Sequence, residues 1–297
     1  MKSLLVPAPA KLNLFLHLAG RRSDGYHNLE SVFVLIDYCD YLQFETTDDH
    51  QIKVLPQIEG VPTEDNLIFK AASTLQKLAN ERSIATPGVR INLTKNIPMG
   101  GGLGGGSSDC ASTLMALNYL WDLNLSEEQL RIIGLKLGAD VPFFIGGNTS
   151  FIQGIGEELH DFDVDGLWFL VIEPDFSIPT VEIFTHPDLN RNYRSLSSKE
   201  LEDAKVALSK AYFWGSNYLE SAAFKIYPQL QNIVDSAYPI KLRMSGSGSC
   251  LFAMFLSEAE AIKSLSDLNA LIHKLSLPIR KLSVYKQLSK HPIKDVL

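Results

Sequence analysis

The chemistry in this sequence starts from a glycine-rich stretch at residues 98–111, PMGGGLGGGSSDCA. Six of the seven residues from Gly100 to Gly106 are glycine, and Leu103 is the exception. An ordered glycine costs roughly 0.5–1 kcal/mol relative to alanine, so a rigid run of this kind needs a compensating interaction. Backbone N–H groups that have no Cβ atoms beside them can converge on an anion. The run therefore predicts a phosphate-binding loop, with a tight structural turn as the alternative.

The residues on either side predict that this loop joins a strand to a helix. Upstream, apolar and polar residues alternate over 89–94, which is the period of a half-buried strand. Downstream, apolar residues recur at helical spacing over 111–121, which predicts a helix with a mostly apolar face. We expect Ser107, Ser108 or Asp109 to cap this helix, whose first N–H groups and dipole favour an anion.

The loop matches neither of the two common nucleotide motifs well. A Walker A loop needs a lysine after its last glycine, whereas Lys95 precedes Gly100 by five residues. Gly100, Gly102 and Gly105 satisfy G-x-G-x-x-G, a pattern that is weak on its own. In the dinucleotide-binding motif, an acidic residue about 20 residues further on hydrogen-bonds the ribose. Asp122 lies near that distance, but it falls in a helix end and its connection. The sequence therefore indicates a phosphate more firmly than a particular nucleotide.

A strand near the N-terminus presents a second candidate group. The stretch AKLNLFLHL at residues 10–18 alternates, with four leucines on one face. Lys11 and Asn13 fall on the other face, so their side chains point the same way. A lone lysine on a strand is more often an ordinary exposed residue, and we weigh that alternative against a role in binding or catalysis.

Other hydrophobic patterns predict the elements that must position these groups. Strands are predicted at 32–45, 51–55, 149–159 and 166–174, and helices at 65–81, 126–138, 199–213 and 216–236. Asp65 or Asn66 is expected to cap the first of these helices and Ser126 the second. Residues 177–200 predict a long loop, 240–255 a strand, turn and strand, and a helix is expected from Ser257. Mixed strands and helices favour an α+β fold over a doubly wound sheet.

The composition is that of an ordinary soluble globular protein, with 45% hydrophobic and 21% charged residues. A net charge of −7 excludes diffuse attraction to nucleic acid or to an anionic membrane. Three scattered cysteines indicate neither a disulfide framework nor a zinc site and fit a reducing, cytoplasmic setting. The apolar run near the N-terminus is too short for an export signal, and none approaches the ~20 residues of a membrane span.

Several stretches together resemble the GHMP small-molecule kinases. PMGGGLGGGSS is similar to their phosphate loop, and MSGSGSCLF at residues 244–252 is similar to their late glycine motif. The opening stretch PAKLNLFLHLAGRRSDGYHNLES at 9–31 resembles the branch of that superfamily that phosphorylates 4-diphosphocytidyl-2-C-methyl-D-erythritol. GGGLGGGSSDCA at 100–111 and LGADVPFFIGG at 137–147 resemble the same branch.

This resemblance implies an enzyme and its architecture. It implies ATP-dependent transfer of phosphate to the 2-hydroxyl of that cytidine diphosphate conjugate, in the non-mevalonate isoprenoid pathway, with ATP and Mg²⁺ as cofactors. The implied two-domain α+β fold has an N-terminal domain like domain 2 of ribosomal protein S5, which we place at 1–155. A ferredoxin-like domain follows, placed at 156–297. We expect a small-molecule substrate, no nucleic-acid or membrane partner, and a monomer or weak homodimer.

The resemblance also implies catalytic residues. Asp140 aligns with the catalytic carboxylate, which would accept a proton as the hydroxyl attacks the γ-phosphate. The alternative is a helix N-cap, because Pro142 belongs in a first helical turn. Lys11 aligns with the active-site lysine, whose charge would hold the carboxylate ionised.

Substrate contacts follow from the same alignment. Tyr26 and His27 match positions that grip the cytosine, and Phe184 resembles a second aromatic wall. Asn13 resembles a hydrogen-bonding partner of the substrate. A surface cap is the alternative for the Tyr-His pair, and Thr185 departs from the lysine that relatives carry there.

The implied ATP contacts lie in and around the glycine-rich stretch. Asn66 and Lys95 resemble adenine- and ribose-side contacts, although either also fits a solvated strand or helix-cap residue. The expected loop contacts are Pro98, Met99, Gly100, Gly101, Gly102, Leu103, Gly104, Gly105, Gly106, Ser107 and Ser108. No dedicated magnesium ligand is assigned, because helix capping explains Asp109 equally well.

Two competing functions remain open from the sequence. The first is another kinase of the superfamily, acting on homoserine, mevalonate or galactose, and the stretch Gly25-Tyr26-His27 argues against it. The second is a nucleotide-binding regulator without catalysis, and the presence of both Lys11 and Asp140 argues against that.

Overall fold

The computed structural model describes residues 2–21, 27–189, 191 and 193–296. The strands are β1 (Ser3–Arg21), β2 (His27–Thr47), β3 (Ile52–Leu55), β4 (Gly88–Thr94), β5 (Ser150–Gln153), β6 (Glu158–Asp161), β7 (Trp168–Pro174), β8 (Arg243–Met244), β9 (Leu251–Phe255) and β10 (Ile279–Leu288). The α-helices are α1 (Leu67–Glu81), α2 (Gly105–Leu120), α3 (Glu127–Leu135), α4 (Val141–Gly146), α5 (Thr180–Thr185), α6 (Ser198–Leu208), α7 (Glu220–Ile226), α8 (Pro228–Ser236) and α9 (Glu258–Leu275).

Strands from both halves of the chain join one sheet. Its central order is β3-β4-β2-β10-β7-β9-β8, and β1 and β5 also pair with β2. The sequence patterns did not predict β10, which pairs with β7 over most of its length and with β2 through Gln287 and Leu288. The strand therefore connects the sheet of the first half to that of the second. The mixture of strands and helices confirms the α+β prediction.

Strand β1 is buried on both faces over residues 8–18, although its sequence alternates between apolar and polar side chains. It pairs antiparallel with β2, with a register shift between Asn13 and Leu16. Leu14 and Phe15 are both fully buried in one apolar cluster, although they are adjacent in sequence. Side chains on both faces of the strand therefore pack in the interior, which leaves the polar groups of Lys11 and Asn13 buried as well.

Helix α2 begins earlier than its sequence pattern predicts. Gly104, with a φ of 71°, occupies the N-cap position, and no side chain of the described residues caps this helix. The prediction that Ser107, Ser108 or Asp109 is the cap is therefore wrong, because all three lie inside the helix. Twelve of the 16 residues of α2 are buried, because the helix packs against α1, α4 and the first two strands.

Other predicted boundaries differ where local geometry intervenes. The expected loop at 177–200 contains α5 and the start of α6. The expected helix at 216–236 is divided at Tyr227, which has a non-helical backbone (φ −121°, ψ 74°) between α7 and α8. Asn66 caps α1 and Ser126 caps α3, as predicted. In the part of the chain that the structure describes, none of the α-helices combines the length and the hydrophobicity of a membrane-spanning helix.

The C-terminal tail returns to the N-terminal half. Ile293, in a short 3-10 helix at Pro292–Asp295, is fully buried in the same apolar cluster as α1 and α2. His291 is also buried, and its Nε2 lies 3.3 Å from Ser112 Oγ on α2. The last residues of the chain thus help to hold the helix that follows the glycine-rich loop.

Candidate active site

A cavity of about 560 Å³ lies where the glycine-rich loop meets elements from both halves of the chain. Most of the predicted site residues line it: Lys11, Asn13, Asn66, Lys95, Pro98, Met99, Gly100, Gly101, Gly102, Leu103, Gly104, Gly105, Gly106, Ser107, Asp140 and Phe184. Ser108 is buried beside this cavity without lining it. Tyr26 lies outside the described residues, and only the backbone of His27 is described, at the start of β2.

Several positions of the loop accept only glycine, because the backbone is left-handed or a neighbouring atom lies too close for a Cβ atom. Gly100, Gly102 and Gly104 have φ values of 67°, 73° and 71°, a region that other residues rarely adopt. A Cβ atom on Gly102 would lie 2.0 Å from the carbonyl oxygen of Ser245. The alternation of left-handed glycines folds the loop back onto the start of α2, where uncapped N–H groups favour an anion.

The late glycine motif holds this loop in place. Ser249 N donates to Gly100 O at 3.2 Å, Cys250 N to Gly101 O at 3.1 Å, and Ser245 Oγ to Gly102 O at 3.0 Å. Gly246 and Ser247 also line the cavity. The two glycine-rich stretches, about 140 residues apart in sequence, thus form one unit in which the carbonyl oxygens of the loop accept hydrogen bonds from donors of the late motif.

Lys11 and Asp140 come together at this loop, as the resemblance implies. Lys11 N donates to Leu103 O at 2.9 Å, which attaches β1 to the loop. Lys11 Nζ lies 3.7 Å from Asp140 Oδ2, donates a hydrogen bond to Asn13 Oδ1, and lies 4.8 Å from the centre of the Phe33 ring. Burial lowers the pKa of Lys11, and the Asp140 carboxylate opposes that shift.

Asp140 does not act as a side-chain cap. It occupies the N-cap position of α4, but its backbone is already helical and its carboxylate caps no N–H group among the described residues. The side chain is 30% exposed and lines the cavity, whereas that of Lys11 is 5% exposed. The carboxylate is therefore accessible from the cavity, with a buried ammonium group behind it.

Asn13 is oriented by its neighbours on both sides. Its Oδ1 accepts from Lys11 Nζ, and its Nδ2 donates to Ser31 Oγ at 3.1 Å. Ser31 in turn donates to the carbonyl oxygen of Phe15. These hydrogen bonds fix the orientation of the Asn13 amide, which also lines the cavity.

Asn66 and Lys95 line the cavity but carry structural contacts as well. Asn66 Oδ1 accepts from Ile68 N at 2.9 Å and so caps α1, which confirms the helix-cap alternative. Lys95 Nζ forms ion pairs with Asp40 and, at 3.1 Å, with Asp109. Burial disfavours the charged form of Lys95, but the two carboxylates outweigh that effect and raise its pKa.

Two buried oxygen atoms beside the loop have no partner among the described residues, Ser108 Oγ and Asp109 Oδ1. Burial raises the pKa of Asp109, and the Lys95 ammonium opposes that shift. No group of three or more His, Cys, Asp or Glu side chains in the described ranges could hold a metal ion. The residues around the loop do not form a dedicated metal cage.

Phe184 lies on α5 and lines the cavity from the second half of the chain. Arg191 Nη2 donates to the carbonyl oxygens of Phe184 and His186, at 2.8 Å each, and so holds the end of this helix. The Thr185 hydroxyl donates to Val181 O at 2.8 Å, within the same helix. Thr185 is exposed, so it presents its side chain to the helix backbone and solvent.

Sequence reasoning missed several residues of this site. Ser245 and Ser247 lie in the late glycine motif, so the sequence does indicate a functional position for them. No role was predicted for either serine. Thr180 also lines the cavity, and its hydroxyl oxygen lies 2.9 Å from that of Ser247. It falls in the stretch that was predicted to be a loop. Asp40 had no signal, because its partners are 55 to 57 residues away in sequence.

Comparison with known proteins finds two family models that match separate segments of the chain. The family models for the GHMP kinases N-terminal domain and the GHMP kinases C-terminal domain match residues 66–148 and 198–274. A protein named 4-diphosphocytidyl-2-C-methyl-D-erythritol kinase from Janthinobacterium sp. (strain Marseille) is 46% identical over 258 residues, which are 86% of this chain and 87% of the relative.

Solved structures agree. A crystal structure of 4-(cytidine 5'-diphospho)-2C-methyl-D-erythritol kinase matches with a TM-score of 0.76 and 30% identity, covering 95% of this chain and 99% of the other. A homoserine kinase from Cytophaga hutchinsonii matches with a TM-score of 0.72 at 16% identity, covering 98% and 96%, and so shares the fold. The chain belongs to the 4-diphosphocytidyl-2-C-methyl-D-erythritol kinase family, within the GHMP kinases.

Proposed function

We propose that this enzyme transfers the γ-phosphate of ATP to the 2-hydroxyl of 4-diphosphocytidyl-2-C-methyl-D-erythritol. The products are the 2-phosphate and ADP, and the reaction belongs to the non-mevalonate route to isoprenoid precursors. The observation that carries the proposal is the Lys11–Asp140 pair, 3.7 Å apart and joined to the glycine-rich loop through Lys11 N. The names of its relatives supply the substrate.

Asp140 is the proposed general base. As the hydroxyl oxygen forms a bond to the γ-phosphorus, its proton passes to the Asp140 carboxylate, and the bond from phosphorus to the bridging oxygen of ADP breaks. Lys11 stabilises the ionised carboxylate before transfer and the negative charge that develops during it. A positioned base contributes typically ~10²–10⁴-fold to a rate.

The glycine-rich loop is the proposed site of the triphosphate. Its left-handed glycines bring backbone N–H groups at the start of α2 toward one point, where the helix dipole favours negative charge. We place Pro98 to Ser108 against the phosphates and Asn66 and Lys95 near the nucleoside. The Asn66 amide oxygen is used by its cap, so Nδ2 is the group that faces a ligand.

Magnesium is proposed as part of the nucleotide complex rather than as a resident ion. The described residues hold no group of three or more potential metal ligands, and Asp109, a carboxylate beside the loop, already contacts the Lys95 ammonium. Mg²⁺ commonly keeps several waters and binds through substrate phosphates. We therefore assign no protein ligand to it.

The cytidine end of the acceptor is proposed to lie between aromatic side chains. Tyr26 and Phe184 would provide the two faces and His27 a polar edge, while Asn13 contacts the methylerythritol part. Phe184 supports this arrangement because it lines the same cavity as Lys11 and Asp140. Base–aromatic stacking contributes about 1–3 kcal/mol per base.

We further propose a cytoplasmic enzyme that acts as a monomer or weak homodimer on small molecules, without a nucleic-acid or membrane partner. A net charge of −7 supports this, and so do the three cysteines, all free and buried. We place its domains at 1–155 and 156–297, so that each contains one of the two matched family segments.

A substrate panel tests the proposed reaction. ADP formation is measured with 4-diphosphocytidyl-2-C-methyl-D-erythritol, homoserine, mevalonate and galactose, each at equal concentration. We expect ADP release with the first compound and rates at background with the other three. Release with another acceptor alone would indicate a different kinase of this fold, and binding of ATP without release would indicate a regulator.

A further inference from the structure

Asp40 is a fully buried carboxylate on β2 that contacts the segment leading into the glycine-rich loop. Its Oδ1 accepts hydrogen bonds from the backbone N–H groups of Asn96, at 2.5 Å, and Ile97, at 2.8 Å. Its Oδ2 accepts from the ammonium group of Lys95. One side chain therefore holds three consecutive residues, which lie between the end of β4 and Pro98.

Neighbouring residues of β2 fix the same segment. Asn96 Nδ2 donates to Cys39 O at 2.8 Å, and the Tyr38 hydroxyl donates to Asn96 O. Residues 38 to 40 thus form a continuous support for residues 95 to 97. Tyr38 and Cys39 each make one hydrogen bond to this segment. Asp40 is the charged residue of the three, and both of its carboxylate oxygens accept hydrogen bonds.

The supported segment in turn packs against the first residue of α2. A Cβ atom built on Gly105 would lie 2.9 Å from Ile97 Cγ2 and 2.9 Å from Lys95 Nζ. Such close packing leaves no space for the segment to move toward the helix. Residues 95 to 97 therefore support the N-terminal turn of α2 on one side.

We propose that Asp40 is a positioning residue for nucleotide binding, which acts through residues 95 to 97 on the N-terminus of α2. This inference rests on the proposed function, in which that helix terminus binds the triphosphate. The charge and the position of Asp40 have opposite effects on nucleotide affinity. Its negative charge repels a triphosphate, whereas its hydrogen bonds hold the donors in place. Removal of the Asp40 side chain should therefore weaken nucleotide binding if positioning dominates and strengthen it if charge repulsion dominates.

The test compares Asp40→Ala with Asp40→Asn. The alanine variant loses all three contacts, whereas the asparagine oxygen still accepts from Asn96 N and Ile97 N. Glu30→Ala is the matched control, because Glu30 is a buried carboxylate on the same strand that accepts from Leu196 N at 2.9 Å and from Gln153 Nε2. Steady-state kinetics with each substrate varied in turn is combined with calorimetric titration of ADP without the acceptor.

We expect Asp40→Ala to raise the KM for ATP and the Kd for ADP by about tenfold, with the KM for the cytidine substrate changed less than about twofold. Asp40→Asn should recover most of the nucleotide affinity, and Glu30→Ala should leave the nucleotide values unchanged. Should Asp40→Ala not fold, Asp40→Ser replaces it, because its short hydroxyl side chain cannot reach all three donors.

Three results would overturn the positioning role. These are nucleotide affinity that is unchanged or tighter in Asp40→Ala, an equal loss for both substrates, or the same nucleotide loss in Glu30→Ala. In each of them wild-type ADP formation persists, so the proposed reaction stands. Absence of nucleotide binding in the wild-type enzyme would instead overturn the proposed function, and this inference with it.

Discussion

Lys11 shows how burial and pairing act together on one side chain. An exposed ion pair contributes about 0–1 kcal/mol, so a lysine with an ordinary surface partner would have little effect. Here the ammonium is almost fully buried and contacts Asp140, Asn13 and the Phe33 ring. Burial favours the neutral amine and Asp140 favours the charged form. The charge on Lys11 therefore depends on a partner that itself faces the cavity.

Removal of an aromatic wall should weaken the acceptor selectively. We expect Phe184→Ala and Tyr26→Ala each to raise the KM for the cytidine substrate, by the equivalent of about 1–3 kcal/mol, because each loses a stacking face. The KM for ATP should barely change, since the triphosphate lies at the glycine-rich loop. Remote binding energy also orients the hydroxyl, so kcat can fall as well. Steady-state kinetics with each substrate varied in turn provides the measurement.

Tyr212→Ala is the control for that experiment, because Tyr212 is an exposed aromatic residue outside the cavity. An equal loss for both substrates would point to damaged folding. No loss for the cytidine substrate in Tyr26→Ala would return Tyr26 to the role of a surface residue.

The residues of the site differ in how far sequence could predict them. Lys11, Asp140 and the loop lie in contiguous motifs, so the resemblance located them and the geometry brings them together. Asp40 lies in an ordinary strand, and a strand pattern does not reveal which buried carboxylate meets a turn 55 residues later. Such contacts depend on the register between β2 and β4, which a single sequence does not specify.

At the scale of elements, the glycine-rich loop shows why the helix cap was mispredicted. Serine and aspartate just before an apolar helical pattern are the usual cap signal. Here Gly104 takes the N-cap position with a left-handed backbone, and the helix begins at Gly105. A side-chain cap would occupy the first N–H groups of the helix. Because glycine has no side-chain oxygen, these N–H groups stay available to an anion.

A methyl group on Gly102 should disturb this loop more than one on Gly106. We expect Gly102→Ala to destabilise the folded state and weaken ATP binding, because its Cβ would lie 2.0 Å from Ser245 O at a φ of 73°. A Cβ on Gly106 meets only Leu67 Cδ1, at 3.7 Å, so Gly106→Ala should retain wild-type unfolding stability. Thermal unfolding and calorimetric titration of ATP compare the two. Equal stability of both variants would contradict the proposed contact between the glycine-rich stretches.

At the scale of the whole molecule, the two halves share a sheet through β10. Local patterns predicted most strands and helices near their observed positions, because apolar periodicity is a local property. They did not predict β10, whose residues are mostly half-buried and so give no clear alternation. The pairing of β10 with β2 and β7 is a long-range property of the fold. The division at residue 155 stays a prediction.

The return of the tail to the first half predicts a pH dependence of stability. Burial lowers the pKa of His291 to about 3, and the charge on Lys294 adds to this. The unfolded chain binds a proton near its ordinary value of about 6.5. The contribution of neutral His291 is therefore fully present above about pH 6.5 and is lost as the pH falls toward 3. Its slope is at most about 1.4 kcal/mol per pH unit.

His291→Asn tests that dependence, because asparagine retains a side-chain acceptor for Ile293 N and does not titrate. Denaturant unfolding from pH 7 to pH 4 should give a shallower loss of stability in this variant than in the wild type. His273→Asn, at an exposed position on α9, is the control and should follow the wild-type curve. Parallel curves for His291→Asn and the wild type would exclude His291 as the source.

The central claim is that Asp140 accepts the proton at a site built from the first strand and the glycine-rich loop. It is tested most directly by single-turnover transfer of the γ-phosphate in Asp140→Asn, with ATP and the cytidine substrate both saturating. The carboxylate caps no described N–H group, so the substitution should not disrupt the start of α4. We predict a rate of transfer that falls by ~10²–10⁴-fold. A rate within a few fold of wild type would contradict the account.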